Sequence, residues 1–188
     1  EKLAHAMGAL TLGLEKQRYD FLGTVMSEIG ANDASWKGQC FTPDAVCSLM
    51  ANLTIGDVKP VFGKTMTFNE PACGGGAMLI ATSEVLLGKG FFPWHYHWFA
   101  TDVDWRCYAM TLVQTTLLGI PCVVTHGNTL TLETWKVTPN LISVMHPPKK
   151  GSLEFKDPVE DVVEALAPLG VATAPAVVNN ASRCLWDR

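Results

Sequence analysis

No apolar run in this 188-residue chain approaches the roughly 20 residues of a membrane-spanning helix. The opening Glu1-Lys2-Leu3-Ala4-His5 lacks the charged-then-apolar layout of a secretory signal, so a soluble, cytoplasmic protein is expected. C-x-x-C spacing is absent as well. The six cysteines (Cys40, Cys47, Cys73, Cys107, Cys122, Cys184) are scattered, several in apolar segments where a thiol behaves as a small hydrophobe, which predicts reduced thiols and no disulfide frame. Charge is sparse: 17% of residues are charged and the formal net charge is −4. That argues against a basic nucleic-acid clamp over the whole surface and leaves room for a local basic patch. There is no internal repeat and no low-complexity segment. What the chain does have is apolar material: 48% of residues are hydrophobic, enough to bury one core and to build a single α/β domain with additional helix.

That domain is organised around Phe68-Asn69-Glu70-Pro71-Ala72-Cys73-Gly74-Gly75-Gly76-Ala77-Met78-Leu79-Ile80, which reads as a strand, a tight glycine turn and a helix N-terminus. Such a turn lets the main chain approach a polar or anionic guest, and Glu70 stands at the strand end where it can accept hydrogen bonds. Close strand-helix packing also uses glycine, so alone the turn is a weak signal. Upstream, Leu3, Met7, Leu10 and Leu14 mark an amphipathic helix. Asp20 reads as the N-cap of a second helix ending at Gly30. Thr42 can cap a third, with Pro43 at its first helical position. Downstream, Trp94 to Asp104 suits a buried parallel strand with a carboxylate at its C-terminal end. Trp105 to Leu118 is helical, and Cys122 to His126 is a third strand followed by the loop Gly127-Asn128-Thr129-Leu130. Leu141 to Met145 reads as a fourth strand ended by His146-Pro147-Pro148, and Asp157 to Gly170 as a short helix. Alternating strands and helices predict a mostly parallel, doubly wound α/β sheet with ligands beyond the C-terminal strand ends, where Gly74, Asp102 and Asn128 would meet. Residues 1–55 read as a helical segment packed on a core of 56–188.

Taken together, Gly38-Gln39-Cys40-Phe41-Thr42-Pro43, Asn69-Glu70-Pro71-Ala72-Cys73-Gly74-Gly75-Gly76, Thr101-Asp102-Val103-Asp104 and Gly127-Asn128-Thr129-Leu130 resemble the N6-adenine DNA methyltransferases. The closest likeness is to the modification subunit of type I restriction systems, in which a Gly-Gln-Phe-Phe-Thr-Pro segment, an Asp-Pro-x-Cys-Gly-Ser-Gly-Gly loop, an acidic strand end and a Gly-Asp-Thr/Ser-Leu loop follow in this order. Four ordered matches are far more specific than any one of them. The resemblance implies a Rossmann-like class I methyltransferase core with an N-terminal helical extension, S-adenosylmethionine as cofactor and DNA as substrate. It also implies a restriction-modification or mobile-element setting, with a specificity subunit or a second copy of the chain as partner. Carried over residue by residue, Glu70 and the amides around Ala72, Cys73, Gly74 and Gly76 would hold the methionine part, with Phe41, Thr42 and Pro43 closing over it. Asp102 would accept from both ribose hydroxyls and Val103 would flank the adenine, while Asn128, with Thr129 and Leu130, matches the family's loop at the adenine.

The sequence departs from the family where Glu70 and Asn128 replace aspartates, and most of all at the catalytic loop. The family carries Asp/Asn-Pro-Pro-Tyr/Phe after the fourth strand: oxygen acceptors hold the target amino group and an aromatic ring stacks on the flipped base. The candidate here is His146-Pro147-Pro148-Lys149, in which a neutral histidine can accept one hydrogen bond but lysine offers no stacking ring. Two functions therefore stand side by side: an adenine-N6 DNA methyltransferase, or a catalytically degenerate relative that binds S-adenosylmethionine or DNA as a regulatory subunit. A methyltransferase acting on an amine in RNA or protein is a third. His95 and His97, two apart on one strand face, read as structural and no metal is expected. Trp94 and Trp98 read as core or interface, and Lys149-Lys150 as a solvated loop.

Overall fold

Caps and glycines set the element boundaries in the computed structural model, which describes residues 1–30, 42–61 and 63–148. These belong to the unit Glu1–Ser152. In chain order the elements are helices α1 (Lys2–Lys16), α2 (Phe21–Gly30) and α3 (Asp44–Ile55), strand β1 (Met66–Glu70) and helix α4 (Ala77–Gly88). A 3-10 turn (Pro93–His95), strand β2 (Tyr96–Asp102), helix α5 (Trp105–Leu117), strands β3 (Cys122–Asn128) and β4 (Glu133–Pro139) and the short helix α6 (Leu141–Met145) follow. Asp20 caps α2, its Oδ1 accepting from the Gly23 amide at 2.7 Å, and Asp104 caps α5 through the Arg106 amide at 2.8 Å. Helix α3 differs from the sequence reading by one residue: Pro43 takes the cap position with no side-chain bond, and Asp44 is the first helical residue. Asp157 to Gly170 lies outside the described residues.

The sheet has the order β1-β2-β3-β4, with the first three strands parallel and β4 antiparallel to β3. Alternate residues of a strand share a face. Phe68 of β1, Tyr96, Trp98 and Ala100 of β2, and Cys122 and Val124 of β3 build one wall of the core against Leu79, Ile80 and Leu86 of α4 and Tyr108 of α5. Leu10 and Leu14 of α1 join the same cluster, so the N-terminal helices share in the core. Burying each such aliphatic side chain contributes about 1.5–3 kcal/mol. Both crossovers step in the same direction along the sheet, and the right-handed rule then puts α4 and α5 on one face. On the other face His97 is fully buried and meets Ser143 of α6, Nε2 to Oγ 2.8 Å. This is a Rossmann-like α/β core with a mostly parallel sheet. Among the described residues no helix is long and apolar enough to cross a membrane.

The fourth strand corrects the sequence reading. Leu141–Met145 is not a strand but helix α6, started by Asn140, whose Oδ1 accepts from the Ser143 amide at 2.8 Å. A five-residue apolar run has no period long enough to separate strand from helix. The actual strand, Glu133–Pro139, escapes a burial-based reading because Glu133, Thr134, Trp135 and Lys136 are all exposed at the sheet edge. Its register slips between His126 and Gly127, a bulge that turns Trp135 onto the His126 ring at 4.8 Å. Gly127 permits this approach, since a Cβ there would stand 2.4 Å from the Glu133 carbonyl oxygen. Gly127→Ala is therefore expected to cost about 1–3 kcal/mol, read as a lower urea midpoint at unchanged slope.

Candidate functional site

Three loops converge where β1, β2 and β3 end. The Gly74 amide donates to Asp102 Oδ2 at 2.8 Å, the Cys73 amide to the Thr101 carbonyl at 2.9 Å, and Thr129 Oγ1 to the Pro71 carbonyl at 2.6 Å. The glycine loop carries positive φ at Gly74 (53°) and Gly76 (99°), the latter capping α4 in the left-handed region that glycine adopts without penalty. From beneath, α5 holds its peptide planes: Thr111 Oγ1 donates to the Gly74 carbonyl and Gln114 Nε2 to the Gly75 carbonyl, both at 2.8 Å. The first-turn N–H groups of α4 thus point at the C-terminal edge, the arrangement that favours polar or anionic groups.

The acids around this loop differ in character. Glu70 is half-buried, and its Oε1 accepts from the Ala72 amide at 3.3 Å. Burial pushes its carboxyl above the usual range, the Ala72 bond pulls it back, and the charge of Asp102 pushes it up again. Asp102 is 9% exposed and already engaged on both oxygens, Oδ2 by Gly74 and Oδ1 by the Asp104 amide at 2.8 Å. A carboxylate oxygen accepts more than one hydrogen bond, so Asp102 retains acceptor capacity on each side, as a vicinal diol requires. Beside it Val103 exposes its side chain, and its carbonyl meets His126 Nε2 at 3.2 Å. Asn128 Oδ1 accepts from the Leu130 and Thr131 amides at 3.0 and 3.3 Å and closes its own loop. With Oδ1 engaged in its own loop, Nδ2 is the group of this side chain that can donate, and a donor suits a ring nitrogen acceptor. Acceptors for a diol, a donor for a heterocycle, an exposed apolar side chain and a helix N-terminus fit the parts of S-adenosylmethionine.

The start of α3 lies near this edge: the charges of Asp20 and Glu70 help to raise the Cys47 thiol, behind burial and Asp44, and Cys47 Sγ donates to the Thr42 carbonyl at 3.7 Å. Thr42 and Pro43 thus lie at the start of α3, beside Cys47, while Phe41 lies outside the described residues. The catalytic candidates are placed elsewhere. His146 follows α6 with its ring 5.8 Å from Trp94, which precedes β2, and Pro147 and Pro148 continue from it. The seven residues of β2, about 3.3 Å each, separate that pole from Asp102. The cause is β4: an antiparallel strand carries the chain back to the pole where the parallel strands begin. Lys149 lies outside the described residues.

Sequence reasoning missed the supports of the glycine loop. Thr111, Gln114 and Thr115 are all fully buried polar residues on the inner side of α5, and polar residues recurring on the apolar face of a helix are the signal that could have found them. It also missed an aromatic corner at the same edge, where Trp105 stacks on Tyr108 at 5.3 Å with Lys136 over both rings. Among the described residues no group of three His, Cys, Asp or Glu could hold a metal ion. Comparison with curated proteins finds no match. A family model, N-6 DNA Methylase, matches residues 18–165, which takes in every element from α2 to α6 and all three converging loops. On that match, over well more than half of its length, the chain belongs to the N-6 DNA methylase family.

Proposed function

We propose that the chain binds S-adenosylmethionine at the C-terminal edge of β1, β2 and β3 and serves adenine-N6 methylation of DNA, in a restriction-modification or mobile-element setting. The observation that carries this reading is the Gly74–Asp102 hydrogen bond, which joins a glycine loop and a ribose-type carboxylate in a chain of this family. When bound, the cofactor supplies an activated methyl group. Glu70 and the amides of 72–76 receive its methionine part, Asp102 its ribose and Val103 with Asn128 its adenine, while Thr42 and Pro43, with Phe41, cover it and exclude water.

A second reading is favoured by one observation: His146, Pro147 and Pro148 lie at the opposite pole of the sheet. On that reading the chain binds cofactor or DNA, and the groups that hold the target base come from a specificity subunit or from a second copy. Calorimetric titration with S-adenosylmethionine, followed by transfer of labelled methyl to unmethylated mixed-sequence DNA, separates the two. Saturable binding is expected, with affinity unchanged in His146→Ala. Transfer to DNA by the chain alone supports the first reading and binding without transfer the second, while absence of binding by folded protein overturns the first and leaves the second as a DNA-binding subunit. Transfer to RNA or protein and not to DNA redirects the substrate.

A further inference from the structure

Asp20 is buried at 6% exposure, far from any sheet residue in sequence, and it is inserted between two glycines. A Cβ on Gly23 would stand 2.0 Å from its Oδ2, and a Cβ on Gly75 2.3 Å from the same atom. Neither glycine has positive φ, so the carboxylate itself, and not backbone conformation, demands them. Gln114, fully buried on α5, spends its whole amide on this junction: Nε2 donates to Asp20 Oδ1 and to the Gly75 carbonyl, both at 2.8 Å, and Oε1 accepts from the Leu22 amide at 3.0 Å. Burial pushes the Asp20 carboxyl above its ordinary range, with the Gln114 and Gly23 bonds pulling against it. A buried carboxylate that costs desolvation, and that excludes a side chain at two positions, exceeds what capping one helix requires.

We propose that Asp20 and Gln114 are a positioning pair that locks the glycine loop at Gly74–Gly76 in the shape that receives S-adenosylmethionine, so that helix α2 sets cofactor affinity without touching the cofactor. This rests on the cofactor reading above. The pair acts through the Gly75 carbonyl: with that peptide plane fixed from below, the Gly74 amide stays on Asp102 and the Gly76 amide on the Cys73 carbonyl at 2.8 Å. Thr111 fixes the preceding carbonyl and cannot replace Gln114, because it holds Gly74 and not Gly75.

The test compares wild type with Asp20→Ala, Gln114→Met, their double variant and Leu86→Ala, a buried control at the far end of α4. Two quantities are read: the dissociation constant for S-adenosylmethionine, and amide hydrogen exchange of the loop peptide in the protein without ligand. Each single variant is expected to weaken binding about ten-fold, the worth of one well-made buried hydrogen bond, and the double variant no more than either alone. Loop exchange should rise about ten-fold in the same variants, while Leu86→Ala, of similar thermal destabilisation, should leave affinity and loop exchange at wild-type values. Additive losses, or equal losses in the control, would reduce the pair to ordinary core packing and overturn the proposal. If wild type binds no S-adenosylmethionine, the cofactor reading fails and loop exchange still decides whether the pair holds the loop. Should Asp20→Ala not fold, Gln114→Met, which conserves volume, carries both measurements.

Discussion

Asp102→Ala is expected to lower affinity for S-adenosylmethionine by about 100-fold or more, because two charge-assisted hydrogen bonds at roughly 1.5 kcal/mol or more each are removed together. The substitution also strips the acceptors of the Gly74 and Asp104 amides, so the glycine loop and the start of α5 lose their shared anchor. Asp102→Asn is not a rescue. Its Nδ2 would face one of those two amides, donor against donor, and it would offer only one oxygen to a diol. Calorimetric titration beside a thermal melt separates lost binding from lost fold. An Asp102→Ala protein that stays folded and binds the cofactor as tightly as wild type would remove Asp102 from the site.

Lowering the pH from 7 to 4 should cost the wild-type protein about 3 kcal/mol of stability that a His97→Gln variant does not lose. His97 is fully buried with Nε2 engaged by Ser143, and burial holds its pKa down to about 4 against an ordinary value of 6.5, the Trp98 backbone pulling weakly the other way. Between those values the unfolded chain takes up a proton that the folded one refuses. Stability is therefore present above the unfolded pKa and drains away as the pH falls towards the folded one. The raised carboxyls of Asp20 and Glu70 act in the opposite sense in both proteins, so the difference between the two stability curves isolates His97. Glutamine keeps a partner for Ser143 and does not titrate. Urea unfolding at pH 7, 6, 5 and 4 measures it, and parallel curves would show that His97 carries no such linkage.

The parts of the fold that were legible in sequence are those where a local rule and a buried face agree. Gly76 ends a loop in the left-handed region and Asp20 caps α2, and both marked their elements from sequence alone. Asp102 and Gly74 could be set at one edge from sequence because parallel strands bring their C-terminal ends together, and the hydrogen bond between them lies on that edge. Strand β4 was not legible, since an exposed edge strand has no alternation to display and its pairing depends on a glycine 6 residues before it. The placement of His146 then followed from β4: a proline pair looks the same at either pole, and only the direction of the preceding strand decides which. Asp20 was read as a cap, which it is, but its second partner stands 94 residues away and no local pattern announces it.

That separation has a bearing on how the chain is made. Each strand pairs with the next one in sequence, so the sheet can assemble in step with synthesis, by closures of modest length. The contacts that tie residues 18–22 to α5 and the residue after it, Asp20–Gln114 among them, are long-range closures of another kind. At about 5–20 residues per second, α2 waits roughly 5–20 s after leaving the ribosome before α5 exists to receive it, and an isolated ten-residue helix is marginal in water over that interval. The glycine loop is translated before α5, yet it takes its final shape only once Gln114 has emerged. A nascent chain halted between β2 and α5 would hold the glycines and Asp102 but not the support beneath them.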